Sequence, residues 1–185
     1  LNQNYPKDKF EIIVIDDGSI DGTEELVNSK KNDFANLRYF YQTNNGPAKA
    51  RNTGIKNAKG KIVLIINDDT IADKNLLKEH WRSHGEFPDE NLGVLGFLTW
   101  SSELKITPFM EWLENGGPQF DYHKIRGERA GWRRFWTCNV SLKKNFLLQY
   151  GLFDEEFPYA AWEDIELGYR LSKYGFNLIY NQKAL

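Results

Sequence analysis

The chain has 185 residues, 41% hydrophobic and 27% charged, a balance that supports one globular domain with its own core and excludes a disordered or fibrous chain. A net charge of −2 gives no general attraction to nucleic acid or acidic lipid, and a single cysteine, Cys138, excludes an internal disulfide and fits a reducing compartment. The longest apolar run, residues 62–66, is far too short to span a bilayer, and no signal peptide is visible.

Residues 10–15 (FEIIVI) form a short apolar, β-branched run stopped by Asp16-Asp17-Gly18, the pattern of a buried strand ending in a turn. Asp21-Gly22-Thr23 then offers a cap for a helix over 24–30. A second strand is expected at 37–41. Gly46-Pro47 opens a helix through residue 58, with Pro in its first turn and Gly60 just past its end. Residues 61–66 read as a third strand, again stopped by acid at Asp68-Asp69. Asp73 caps a helix to about residue 84, and 92–98 reads as a fourth strand.

Strand and helix alternate over the first hundred residues, which argues for a mostly parallel sheet with helices on both faces. Ligands of such sheets sit beyond the carboxyl ends of the strands, where both acidic clusters fall. From 101 to 134 the pattern weakens into a helix around 109–114 and a long loop containing Gly116-Gly117-Pro118, the kind of segment that serves as a lid or binding loop. Arg126, Arg129, Arg133 and Arg134 are either a solvated basic loop or a surface for phosphate or an anionic acceptor. A strand at 134–142, a helix at 143–150 ended by Gly151, an amphipathic helix at 162–174 ended by Gly175 and a strand at 177–180 complete the chain.

The acidic residues carry the chemistry. Asp16 and Asp17 can accept hydrogen bonds from a base or ribose, or simply shape the turn. Asn67-Asp68-Asp69 suits a hard divalent cation that also holds diphosphate oxygens, or a solvated turn. Lys49 and Arg51 lie two apart on one helix and so do not share a face; Arg51 is favoured as the diphosphate contact. Glu163-Asp164 opens the last long helix, whose N-terminus favours ionised carboxylates; Asp164 can then accept a proton from a hydroxyl.

Together these segments resemble the family 2 glycosyltransferases with the A-type fold: EIIVIDDGSIDGT (11–23), GPAKARNTG (46–54), LIINDDT (64–70), NVSLKKNFLLQYGLFDEEF (139–157) and WEDIELGYRL (162–171). The resemblance covers about nine-tenths of the chain. It implies a single α/β domain with a Rossmann-like nucleotide-sugar half over 1–100 and an acceptor and catalytic-base half over 101–185. It further implies inverting transfer from a nucleoside-diphosphate sugar, UDP being the family's commonest carrier, to a saccharide, lipid-linked or protein acceptor. Asp16, Asp17, Arg51 and Asp68 match donor-binding positions, and Asp69 matches the metal ligand for Mn²⁺ or Mg²⁺. Asp164 matches the general base, Glu163 is its acidic neighbour, and Trp162 and Glu163 fall where the acceptor binds. The setting implied is cytoplasmic, with peripheral attachment at the cytoplasmic membrane face as an alternative.

Two departures from the family pattern stand out. Asn67 occupies the place where many members carry the first Asp of Asp-x-Asp, and its amide oxygen is a weaker cation ligand. A strand that usually precedes Leu1, and a histidine that often follows the last residue here, are not in this sequence, so the chain reads as a fragment; His80, His84 and His123 match no metal position. Two other readings compete. One is a non-catalytic sugar-nucleotide-binding module of the same fold. The other is a receiver-type signalling domain, against which the hundred residues after Asp69 argue.

Overall fold

A computed structural model describes residues 2–115, 120–157 and 161–185; the Gly116-Gly117-Pro118 part of the expected loop lies outside them. The strands are β1 (Ile12–Asp16), β2 (Leu37–Tyr41), β3 (Ile62–Ile66), β4 (Leu92–Gly96), β5 (Asn139–Lys143) and β6 (Asn177–Asn181). The α-helices are α1 (Thr23–Lys30), α2 (Pro47–Asn57), α3 (Leu76–Glu86), α4 (Pro108–Asn115), α5 (Lys144–Tyr150) and α6 (Glu163–Ser172). The expected alternation is therefore present, in an α/β fold. None of the described helices is long and apolar enough to cross a membrane.

The strands form two sheets. β1 and β2 pair in parallel, and a second sheet has the order β3-β5-β4-β6. Within it β3, β4 and β6 run one way and β5 runs against them. One edge of β1 and one of β3 lack a strand partner among the described residues, and both apolar strands stay mostly half-buried. Helix α2 joins the sheets: Gly54 packs on Ile15 of β1, while Ile55 enters the core cluster against which Val63 and Ile65 of β3 pack.

β5 is the most enclosed strand, and its alternation builds both faces. Val140 and Leu142, fully buried, belong to the main core with Leu95, Leu147, Leu167 and Leu171. Asn139 and Ser141 point the other way, toward α3. Buried polar groups cost free energy unless they are hydrogen-bonded, and α3 supplies the partners. His80 Nδ1 lies 2.8 Å from Ser141 Oγ, His80 Nε2 lies 2.9 Å from Asn139 Oδ1, and His84 Nε2 lies 2.8 Å from the same Ser141 Oγ.

Several boundaries differ from expectation, two of them at the starts of β5 and α6. The strand expected at 134–142 starts only at Asn139, because Trp132–Arg134 form a 3-10 turn entered through Gly131 at φ 78°. α6 begins after Trp162, which sits outside the helix in a left-handed conformation. Leu167 and Leu171, one turn apart, face the core while Tyr169 is 46% exposed, which gives the expected amphipathic helix its buried stripe.

Candidate active site

Asp16 ends β1 and is buried. Its Oδ2 accepts the Tyr39 hydroxyl at 2.5 Å and its Oδ1 accepts the Ser19 N–H at 2.7 Å. These bonds, the Tyr39 hydroxyl first, hold the Asp16 carboxyl below its usual range. A cavity of about 310 Å³ opens beside it, lined also by Thr23, Glu24, Tyr39 and Tyr41. Asp17 is occupied as well: Oδ1 accepts from Gln42 Nε2 and the Asn45 N–H, and Oδ2 accepts the Gly46 N–H. It thereby fixes the loop that enters α2. Gly18 makes this possible at φ 92°, where a Cβ would stand 2.9 Å from the Asn44 amide nitrogen. The turn-forming role weighed for Asp16 and Asp17 is thus realised in full.

Asn67, Asp68 and Asp69 are exposed in the turn after β3. Unlike Asp16 and Asp17, the Asp68 and Asp69 carboxylates make no hydrogen bond or ion pair among the described residues. No group of three or more His, Cys, Asp or Glu suited to a metal occurs among those residues either. One or two free carboxylates are hard oxygen donors, and they fit Mg²⁺ or Mn²⁺ held in part by substrate phosphates and water.

The Arg51 guanidinium pairs with the Glu163 carboxylate and lies 5.4 Å from the centroid of the Phe153 ring. Glu163 is only 4% exposed, so the structure brings the expected donor-side cation and acceptor-side carboxylate together as one ion pair. Lys49 reaches Asn45 Oδ1 at 3.3 Å. Arg134 of the basic loop is committed too, pairing with both carboxylate oxygens of Asp121, while Arg126, Arg129 and Arg133 remain exposed.

Asp164 is half-buried at the start of α6. Its carboxylate accepts the Ile165 N–H at 2.7 Å, and the Thr137 amide just before β5 lies close enough to favour its charge. Burial pushes Asp164 up, the Glu163 charge adds to this, and the two amides and Arg51 oppose it. Burial also pushes the neighbouring Cys138 thiol up to about 11, so it stays protonated beside Asp164. Trp162, immediately before the pair, is 73% exposed at φ 71°.

Asp17 holds Gly46 at the start of α2, and farther along that helix Arg51 reaches Glu163 beside Asp164. Asn139 pairs across the ladder with Ile66, which precedes Asn67. Sequence reasoning missed Asn52, whose Nδ2 donates to the Phe153 carbonyl and whose Oδ1 accepts the Phe153 N–H. A signal existed: Ala48, Asn52 and Ile55 share the buried face of α2, and a polar residue on such a face needs a partner.

The model for Glycosyl transferase family 2 matches residues 1–94. The Bacillus subtilis (strain 168) glycosyltransferase YfnE is 29% identical over an alignment covering 95% of this chain and 56% of YfnE. The validoxylamine A glucosyltransferase of Streptomyces hygroscopicus subsp. limoneus is 27% identical, covering 98% of this chain and 45% of that protein. This chain therefore spans about half the length of these relatives. In fold it is similar to S. aureus TarS 1-349 in complex with UDP-GlcNAc (TM-score 0.73, 22% identity, 98% of this chain and 49% of that one). It is also similar to the mannosyltransferase PcManGT from Pyrobaculum calidifontis in complex with GDP-Man and Mn²⁺ (TM-score 0.66, 20% identity, 99% and 48%).

Proposed function

This chain belongs to glycosyl transferase family 2, and from that premise we propose that it transfers a sugar from a nucleoside-diphosphate sugar to an acceptor hydroxyl with inversion, Asp164 serving as general base. Membership leaves the receiver-type reading without support. The observation that carries the proposal is the contrast among the carboxylates. Asp68 and Asp69 are exposed and uncommitted in the turn after β3, whereas Asp164 is half-buried at the start of α6 and accepts the Ile165 amide.

In this reading Asp164 accepts the acceptor's hydroxyl proton as its oxygen attacks the anomeric carbon. The bond from that carbon to the diphosphate breaks, and its electron pair leaves on the diphosphate. Burial raises the basicity of Asp164, which strengthens it as a proton acceptor as long as it is ionised. Asp69, with Asp68 beside it, would hold a divalent cation, and such an ion, when bound, supplies charge neutralisation for the departing diphosphate. Asp16 and Asp17 fix the nucleotide end of the sheet, and free lone pairs on Asp17 remain for the base or ribose. Relatives in fold bind UDP-GlcNAc and GDP-Man, which supports a uridine or guanosine diphosphate sugar as donor.

The test is a pair of variants in the full-length protein. Asp164→Asn should leave donor binding nearly intact and lower turnover by about a hundredfold or more. Asp69→Ala should instead weaken donor binding only when Mn²⁺ is present, read by calorimetry against UDP- and GDP-sugars with and without the ion. Undiminished turnover in Asp164→Asn removes the base assignment.

A further inference from the structure

We infer that Arg51 and Asn52 form a positioning clamp: two neighbouring residues of α2 that hold Phe153 and Glu163 and let Arg51 set the charge felt by Asp164 through Glu163. The inference rests on the reading of Asp164 as the base, and it goes beyond that reading by assigning Arg51 to the reacting carboxylate rather than to the donor.

The geometry is specific. Asn52 grips Phe153 by both of its main-chain polar groups, at 2.8 Å to the carbonyl and 2.9 Å from the amide, and also donates to Glu155 Oε1 at 2.9 Å. Arg51 lies over the Phe153 ring and pairs with Glu163. From α6, Arg170 donates to the Leu152 carbonyl at 2.7 Å. Leu152 and Phe153 are therefore held by α6 and α2, and Glu163, next to the base, is held by Arg51. An isolated carboxylate as buried as Glu163 would be strongly disfavoured, and Arg51 offsets that cost.

The charge balance at Asp164 follows. The groups facing it are Glu163 on its own helix, Arg51 from α2, the Cys138 thiol and Thr137 amide before β5, and the Ile165 amide. Arg51 is the one cation in that set, and Glu163 the one other carboxylate. Removing Arg51 leaves Glu163 to repel the ionised form of Asp164. Removing the Glu163 charge leaves Arg51 to favour that form. A residue with a purely structural role would not shift the two variants in opposite directions.

The test follows the Asp164 carboxyl by ¹³C NMR of aspartate-labelled full-length protein, with Asp164→Asn assigning the signal. Arg51→Met should raise the Asp164 midpoint by about half a pH unit or more, and Glu163→Gln should lower it. The double variant should fall between them, and Arg51→Lys, which keeps the charge, should stay near wild type. If Arg51→Met does not fold, the downward shift in Glu163→Gln still decides. An unchanged midpoint in Glu163→Gln, or shifts of the same sign in both single variants, overturns the clamp. Turnover by Asp164→Asn tests the base assignment separately, so either idea can fail without the other.

Discussion

Trp162 holds a backbone conformation that residues with a Cβ avoid, at a cost of about 1–2 kcal/mol. At φ 71° it is the only residue other than glycine with positive φ among those described, and 73% of its surface faces solvent. A large aromatic ring kept in water on a strained backbone earns little stability where it stands, and such strain clusters at functional sites. The position directly before Glu163-Asp164 suits stacking on an acceptor sugar. Trp162→Gly relieves the strain and loses few packing contacts. We therefore expect a melting temperature unchanged or higher by roughly 2–4 °C, together with a raised acceptor KM and an unaltered donor KM. A sharp drop in melting temperature would instead identify Trp162 as a packing residue.

At the level of elements, α6 is positioned by an absence of side chain. Gly168 faces the 132–135 turn so closely that an added Cβ would lie 2.7 Å from both the Trp132 carbonyl oxygen and the Phe135 Cβ. The first of these is main chain and cannot swing aside. Trp132 packs its ring against Tyr169 on the next position, with centroids 5.1 Å apart. Gly168→Ala should destabilise by roughly 1–3 kcal/mol through overpacking, against which better helix propensity returns about 1 kcal/mol. Because α6 carries Asp164, turnover should fall together with stability. Urea unfolding and kcat measured on the same preparation check this, and a more stable, fully active variant would contradict it.

Across the whole molecule, the buried face between α3 and β5 makes stability depend on mildly acidic pH. Asn139 Nδ2 donates to the Phe97 and Ala184 carbonyls, so its Oδ1 must accept from His80 Nε2. His80 Nδ1 then accepts the Ser141 hydroxyl, whose oxygen accepts from His84 Nε2. Both rings are neutral in this arrangement, and His84 Nδ1 is buried without a partner among the described residues. Burial lowers His80 to about 4, with Asn139 and Glu79 opposing, and lowers His84 to about 3, with Lys143 and His80 adding to the effect. An unfolded histidine titrates near 6.5. Between that value and about 4 the unfolded chain binds more protons than the folded one, so stability is present above 6.5 and is lost as pH falls. The slope approaches about 1.4 kcal/mol per pH unit for each histidine. Urea unfolding from pH 7 to 5 should show the decline. A flat profile there would contradict the assigned tautomers.

Local patterning carried much of this protein's architecture. β-Branched runs, proline and glycine punctuation and acidic strand ends mark β1, β2, β3 and α2 to within two residues, because these signals act between near neighbours in the chain. The same signals place Asp16, Asp69 and Asp164 at element termini, and the motif order carries the family. Tertiary structure alone decided which carboxylates are spent and which are free. Asp17 is engaged by Gln42, Asn45 and Gly46 with acceptor capacity to spare, Arg51 by a glutamate 112 positions away, and Asn52 by a main-chain group 101 positions away. It also decided that Asp164 is half-buried, which pushes its carboxyl up. The physical reason is that hydrogen-bond partners and desolvation are properties of neighbours in space, and period or spacing along a chain does not encode which distant residue will arrive beside a given side chain.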